Sequence, residues 1–271
     1  MPEMFHFRPI GRIVSAGAYR FEAPRQPVFA GRGAFLAWEE PELMRRAAED
    51  LEGFERIWII FVFDRNPVGR WKPKVRPPLS PDGKRYSVLA TRSPHRPNPV
   101  GLSAVTLLAV RPDGLELGAA DLLDGTPVLD VKPYIAEADA FPRSRAGWRD
   151  RPMPPEYQVA FRPEVMPAIR LIRDSGGPDL ENFCRIQLCH NPGDRRRKRL
   201  VPPAPPFPFW QLGCRTWRVF FARDDDTHTV TICGVGSGYR AEELAPDAPD
   251  PYSDKMLHRL FLRKFPTGGI S

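Results

Sequence analysis

Cysteine is scarce: only Cys184, Cys189, Cys214 and Cys233 occur in 271 residues, and no two of them form a Cys-x-x-Cys pair. That excludes a disulfide-stapled scaffold and the usual knuckle-spaced zinc modules. The one local cluster, Cys184, Cys189 and His190, needs Cys214 as a fourth ligand at an unusual separation. No metal is therefore expected, and the cysteines read as buried thiols. Long apolar runs are also missing. The most hydrophobic stretch, Ile57 to Phe63, closes at Asp64 and Arg65, far short of the roughly 20 residues a membrane helix needs. Met1 to Arg8 has neither the basic flank nor the apolar core of a secretory signal, so a cytoplasmic chain with reduced thiols is expected. No internal repeat is present.

What is abundant is positive charge and proline. The 40 basic residues exceed the 33 acidic ones, for a net charge of +7. Between Asp64 and Asn98, nine basic residues (Arg65, Arg70, Lys72, Lys74, Arg76, Lys84, Arg85, Arg92 and Arg96) face two acidic ones, so this segment alone accounts for the whole excess. A second block, Arg195-Arg196-Arg197-Lys198-Arg199, sets five cations in a row, which is unfavourable unless they are solvated or matched by an anion. Two such clusters point to a polyanionic partner, nucleic acid above all.

Proline makes up 33 of the 271 residues, about 12% against a usual ~5%, and it falls in punctuating groups. Lacking a backbone donor and with φ fixed, these groups end elements and stiffen connections. Between them, Ile57 to Phe63, Tyr86 to Ala90, Val100 to Val110, Leu115 to Ala120 and Val128 to Val131 read as strands. One helix interrupts them, from Pro41 to Gly53, with Leu43, Met44, Ala47, Ala48 and Leu51 as its core stripe. After the prolines at 152–155 the pattern changes. Helical periodicity occupies 163–174 and 178–189, residues 208–221 and 227–233 resemble two strands, and Asp254 to Phe265 is amphipathic. The expected organisation is an α+β chain in two domains, 1–145 and 156–271, with the boundary near 143–155.

Gly234-Val235-Gly236-Ser237-Gly238 follows an apparent strand and mimics a dinucleotide-binding turn. Only 33 residues follow Gly238, too few for the strand and helix pairs such a fold requires, so a flexible connection into the tail helix is expected instead. The most unusual stretch runs from Ala90 to Ser103, where Pro94, Pro97 and Pro99 stiffen a loop carrying Arg92, His95, Arg96 and Asn98. Stiff polar loops suit ligand binding, because little ordering entropy remains to be lost. Downstream, Asp121, Asp124 and Asp130 surround a Gly125-Thr126-Pro127 turn, and Asp130, Lys132 and Tyr134 alternate so that on a strand they share one face.

Taken together, several segments resemble the TsaA-like (TrmO) family. They are Pro24-Arg25-Gln26-Pro27, the Trp58 to Phe63 strand, Trp71-Lys72-Pro73 through Arg76-Pro77-Pro78, Ala90-Thr91-Arg92-Ser93 with Arg96-Pro97-Asn98-Pro99-Val100-Gly101, and Asp124-Gly125-Thr126-Pro127-Val128 through Asp130-Val131-Lys132-Pro133-Tyr134. The match runs in order from about residue 6 to 142. Where many relatives carry an Asp-Pro-Arg-Pro-Ala-Tyr-like stretch, this chain has Asn191-Pro192-Gly193-Asp194-Arg195. The family's characterised members are S-adenosylmethionine-dependent tRNA methyltransferases. The resemblance therefore implies a single-sheeted antiparallel β-barrel in the first domain, and methyl transfer to N6 of threonylcarbamoyladenosine beside the anticodon. It further implies a cofactor site built from Pro24, Arg25, Gln26, Asp64, Arg65, Arg92, Leu102, Asp121, Leu122, Leu123 and Asp124, and a homodimer with that site near the interface.

Chemistry sorts the remaining residues. Carboxylates such as Asp121 and Asp124 suit a sulfonium cation, and Leu102 and Leu122 suit an adenine slot. Arg92, Arg96 and Lys132 are donors for the anionic threonyl carboxylate of the target base. Asn98 before Pro99 is a candidate acceptor for the amino hydrogens, Asp130 pairs with Lys132, and Tyr134 is a candidate to stack on an extruded base. Arg70, Lys72, Lys74 and Arg76, with Arg96 and the 195–199 block, are the expected contacts to tRNA phosphates. Two other readings stay open: a non-catalytic RNA- or nucleotide-binding module, and a methyltransferase of small molecules.

Overall fold

The computed structural model describes residues 5–15, 33–66, 69, 71–77, 80, 83–153, 155–194 and 199–266. The chain divides into two compact units, Met1–Met153 and Pro154–Ser271. Among the described residues, no helix is long and apolar enough to cross a membrane.

The first unit contains strands β1 (Gly11–Val14), β2 (Gly33–Trp38), β3 (Arg56–Val62), β4 (Lys74–Val75), β5 (Tyr86–Ser87), β6 (Val100–Arg111), β7 (Gly114–Ala119) and β8 (Pro127–Pro133). Six of them close into a barrel in the order β1-β2-β7-β6-β3-β8, every pair antiparallel. Alternation along each strand supplies the interior. Ile57, Ile59 and Phe61 of β3, Val105 and Leu107 of β6, Leu115 and Leu117 of β7, and Ile13, Leu36 and Val128 all face inward. Burying each large side chain contributes about 1.5–3 kcal/mol. Register shifts at Gly33/Ala34, Ile60/Phe61 and Leu107/Ala109 curl the sheet enough to close it. At Gly101, an added Cβ would sit 2.3 Å from the Phe61 ring, so the absence of a side chain there makes room for the aromatic.

Helix α1 (Pro41–Ala47) begins on Pro41 and gives way to a single 3-10 turn over Glu49–Gly53. Ala48 is buried and Met44 and Leu51 pack on the barrel core, but Leu43 is 56% exposed and leaves the expected core stripe. The expected strand at 86–90 is shorter, because Val88–Ala90 forms a 3-10 turn after β5. Sequence patterning did not register β1 and β2: one has four residues, and the other, Gly-Ala-Phe-Leu-Ala-Trp, lacks apolar-polar alternation. A short helix α2 (Ala136–Asp139) follows β8.

The second unit is α+β. After β9 (Gln158–Phe161) come helices α3 (Met166–Asp174) and α4 (Leu180–Leu188), then β10 (Leu200–Val201), β11 (Trp210–Cys214), β12 (Trp217–Asp224), β13 (Thr229–Ser237) and helix α5 (Lys255–Lys264). The sheet order is β10-β11-β12-β13-β9, antiparallel except for the parallel β13–β9 pair. Asp179 caps α4, its carboxylate accepting from the Asn182 amide at 3.1 Å. Two expectations are corrected here. The single strand over 208–221 is a hairpin, reversing through Arg215 with φ of 50°. The glycine stretch is not a flexible connection: Gly234 to Ser237 lie inside β13, paired with Trp217 to Phe220. Small residues there let β13 lie against β12 while α5 packs its His258 and Phe261 over Trp217.

Candidate active site at the barrel rim

The ends of β3, β6, β8 and β1 meet at one end of the barrel, as the pairs Val62↔Val100, Phe61↔Val128 and Arg12↔Pro127 require. Three connections therefore gather there: 63–66 after β3, 91–99 before β6, and 120–126 between β7 and β8. They are stitched together by specific bonds. The Phe63 amide donates to the Pro99 carbonyl at 2.8 Å, and Asn66 donates to the Pro94 carbonyl at 3.4 Å. The Arg65 guanidinium donates to the Asp124 carbonyl. The Asp124 carboxylate accepts from the Ser15 amide at 3.0 Å, and Gly125, at φ of 76°, turns the bend so that its amide reaches the Ile13 carbonyl at 2.7 Å.

The 91–99 loop holds its own shape. Thr91 Oγ1 donates to the Val88 carbonyl at 2.8 Å and accepts from the Ser93 amide at 3.2 Å. Arg96 donates to the carbonyls of Thr91 and Ser93 at 2.9 and 3.4 Å, so part of its guanidinium serves the loop itself. With three prolines fixing φ, the loop is pre-organised. Arg92 and Asn98 are exposed upon it.

Within the acidic bend, Leu122 is buried, Leu123 half-buried and Asp124 exposed. Asp121 is the perturbed group. Burial pushes its carboxyl above the ordinary aspartate value, against a 2.7 Å hydrogen bond from Ser103 Oγ and the nearby charge of Arg92. Ser103 was not singled out by sequence, yet it is legible there as the lone hydroxyl among the inward positions Gly101, Ser103, Val105 and Leu107 of β6.

Leu102, Asp130, Lys132 and Tyr134 form a second group on the outer face. Register sets Leu102 beside Ile60 and Ile60 beside Asp130, with Ala104, Trp58 and Lys132 in the next row. Lys132 Nζ lies 2.8 Å from Asp130 Oδ2, and both side chains are about half exposed. Tyr134 lies against Trp58 with ring centroids 5.5 Å apart, and the Trp58 indole donates to Asp139 at 2.9 Å. That bond and the Ile135 amide hold the Asp139 carboxyl below its usual range, the backbone contact being the larger cause. Leu102 links the groups, because it points outward next to Ser103, which points inward to Asp121.

Lys72, Lys74 and Arg76 are exposed along β4 and its flanks, and this ribbon is tied to the loop by the Lys72 amide on the His95 carbonyl at 3.2 Å. Trp148 stacks on Tyr86 at 4.7 Å and donates to the Ala90 carbonyl at 2.8 Å, bracing the same ribbon. Asp64 is exposed at the end of β3. Arg199, exposed in the second unit, accepts the Gly213 amide at its carbonyl at 2.9 Å. Pro24, Arg25, Gln26, Arg70, Arg195, Arg196, Arg197 and Lys198 lie outside the described residues.

The first unit is thus a closed antiparallel barrel with a charged rim, and not a doubly wound sheet with a glycine turn. Residues 12–140 match the family model described as the tRNA-methyltransferase O N-terminal domain. A tRNA (adenine(37)-N6)-methyltransferase of Escherichia coli is 38% identical over 199 residues, spanning 72% of this chain and 84% of the relative. A Pseudomonas aeruginosa protein whose name places it with the S-adenosylmethionine-dependent methyltransferases is 42% identical over 148 residues, 54% of this chain and 64% of the relative. The crystal structure of TrmO from Pseudomonas aeruginosa aligns with a TM-score of 0.61 at 27% identity, over 87% of this chain and 99% of that one. The chain belongs to the TrmO family.

Proposed function

We propose that this chain is an S-adenosylmethionine-dependent tRNA (adenine-N6)-methyltransferase acting at position 37, and that the base it methylates is threonylcarbamoyladenosine. The observation that carries the reading is the convergence of Arg65, Arg92, Asp121 and the 121–124 bend on one barrel rim in a chain of this family. The residues present fit the cofactor. A half-buried carboxylate at Asp121 suits a sulfonium and ammonium, buried Leu122 and exposed Leu102 offer apolar surface to an adenine, and the arginines suit a carboxylate. Bound there, S-adenosylmethionine supplies an electrophilic methyl carbon.

The protein's own share of the work is positioning and charge. Asp121, made reluctant to ionise by burial, is stabilised as an anion by a cation beside it, so its desolvated charge is matched on binding. Arg92 orients the acidic bend and a carboxylate, while Asn98 offers its side-chain oxygen to the amino hydrogens. Asp130 holds Lys132 at 2.8 Å, so that the ammonium is presented to the threonyl carboxylate, and Tyr134 with Trp58 gives the extruded base an aromatic wall. Lys72, Lys74 and Arg76 meet anticodon-stem phosphates, as do Arg70 and the 195–199 block. The active species is a homodimer. Leu89, Val100 and Leu102, at 74%, 42% and 52% exposure, supply apolar area beside the rim for a second copy.

Single-turnover methylation of tRNA carrying or lacking the threonylcarbamoyl group tests the reading. Transfer to N6 of the carrying tRNA alone is expected, and equal transfer to both would refute the substrate assignment. Arg92→Ala is expected to lower the single-turnover rate far more than the melting temperature, whereas equal loss of both would make Arg92 a structural residue.

A further inference from the structure

The second unit holds a cluster that the proposed methyl transfer does not use. Glu156, Cys189 and His190 each direct one donor atom, a carboxylate oxygen, a thiol sulfur and a ring nitrogen, to within 4.8 Å of one another. The fold creates this group from two distant stretches. Cys189 is the C-cap of α4, and its carbonyl accepts the Tyr157 amide at 2.8 Å, which brings the residues ahead of β9 against the helix end. Glu156 is thereby carried over Cys189, and His190 follows before the chain turns through Asn191 at φ of 50°. Sequence spacing groups Cys189 and His190 with Cys184 and Cys214 instead, but the structure takes both of those into the core, fully buried.

A second observation points to a ligand. His190 Nδ1 is buried and has no hydrogen-bond partner among the described residues. Such a nitrogen ordinarily finds a donor or acceptor, because leaving it unsatisfied costs about 1–3 kcal/mol. We propose that Glu156, Cys189 and His190 bind one zinc-class divalent transition-metal ion through three protein ligands, with a fourth coordination position left open.

The donor set selects the metal class. Magnesium and calcium require oxygen ligands throughout, while a mixed sulfur, nitrogen and oxygen set is characteristic of zinc and its surrogate cobalt. Around a tetrahedral zinc, sulfur and nitrogen donors stand about 3.5 Å apart, so the observed cluster needs to contract by roughly an ångström. Exposed Glu156 and half-buried Cys189 and His190 can do so without disturbing the core. Three protein ligands leave a position for water or an incoming group. The metal would cross-link the end of α4 to the entry of β9. The site stands whether or not the tRNA substrate assignment holds.

The test uses untagged full-length protein, stripped with chelator and reloaded with zinc or cobalt. One zinc per chain is expected after gel filtration. The cobalt form is expected to show a thiolate-to-metal charge-transfer band and tetrahedral ligand-field bands, both lost in Cys189→Ser. His190→Ala and Glu156→Gln are expected to weaken zinc binding by more than about tenfold. In the unaltered protein, saturating zinc is expected to slow alkylation of Cys189 by iodoacetamide at least about tenfold, as read by peptide mass spectrometry; the other three thiols are buried. No retained zinc, unchanged zinc affinity in Cys189→Ser, or unprotected Cys189 would each overturn the proposal. The protection measurement needs no variant to fold.

Discussion

Acidification is expected to destabilise the second unit through one imidazole. His258 on α5 is fully buried, its ring stacked on Trp217 at 3.8 Å and met edge-on by Tyr239 at 4.8 Å. Its bonds close as a circuit for a neutral ring. Ser237 Oγ lies 2.7 Å from Nδ1, and Nε2 lies 2.8 Å from Thr216 Oγ1. The Thr216 hydroxyl donates in turn to Asp254 at 2.5 Å, and Asp254 also accepts from the Tyr239 hydroxyl at 2.7 Å. Nε2 therefore carries the proton and Nδ1 accepts from Ser237. Burial holds His258 down to about 4 from an ordinary 6.5, despite the opposing pull of Asp254. Because the folded value lies below the unfolded one, the stability is intact above pH 6.5 and is lost as pH falls toward 4. The difference amounts to about 3 kcal/mol when the whole window is crossed, most of it between pH 7 and 4.5. Urea titrations across that range, read by hydrogen-exchange labelling of β12 and β13, are expected to show this slope in the parent protein and its absence in His258→Gln. An identical slope in both proteins would refute the argument.

Three further outcomes are expected. Asp121→Asn keeps a partner for Ser103 while removing a desolvated charge, so the barrel should melt no lower at neutral pH while S-adenosylmethionine binding falls about tenfold by calorimetry. Unchanged affinity would remove Asp121 from the site. Gly101→Ala places a Cβ 2.3 Å from the buried Phe61 ring, which is packed edge-on to Phe63 at 5.0 Å, and should cost about 1–3 kcal/mol in thermal denaturation, with recovery when Phe61→Leu is added. Replacing Lys72, Lys74 and Arg76 by glutamine should lower the slope of log affinity for tRNA against log salt by about two to three, and an unaltered slope would separate this ribbon from the phosphates.

The 91–99 loop reads as stiff from Pro94, Pro97 and Pro99; the bonds of Thr91 and Arg96 that shape it do not show in the letters. Gly234 to Ser237 read as flexible because glycine in isolation is permissive. In the fold, the pairing with Trp217 to Phe220 supplies the order that local propensity withholds.

What the sequence determined by itself is what depends on short range: apolar runs that must be strands, prolines that stiffen, a positive excess concentrated between Asp64 and Asn98, and the ordered segments that mark the family. Tertiary structure alone decided which distant residues meet. Ser103 reaches Asp121, Arg65 reaches Asp124, and Glu156 comes to Cys189 and His190, while Cys184 and Cys214 withdraw into the core. The reason is that register and closure are properties of the whole sheet: a side chain's face is set locally by alternation, but its partner is set by strands far away in the chain.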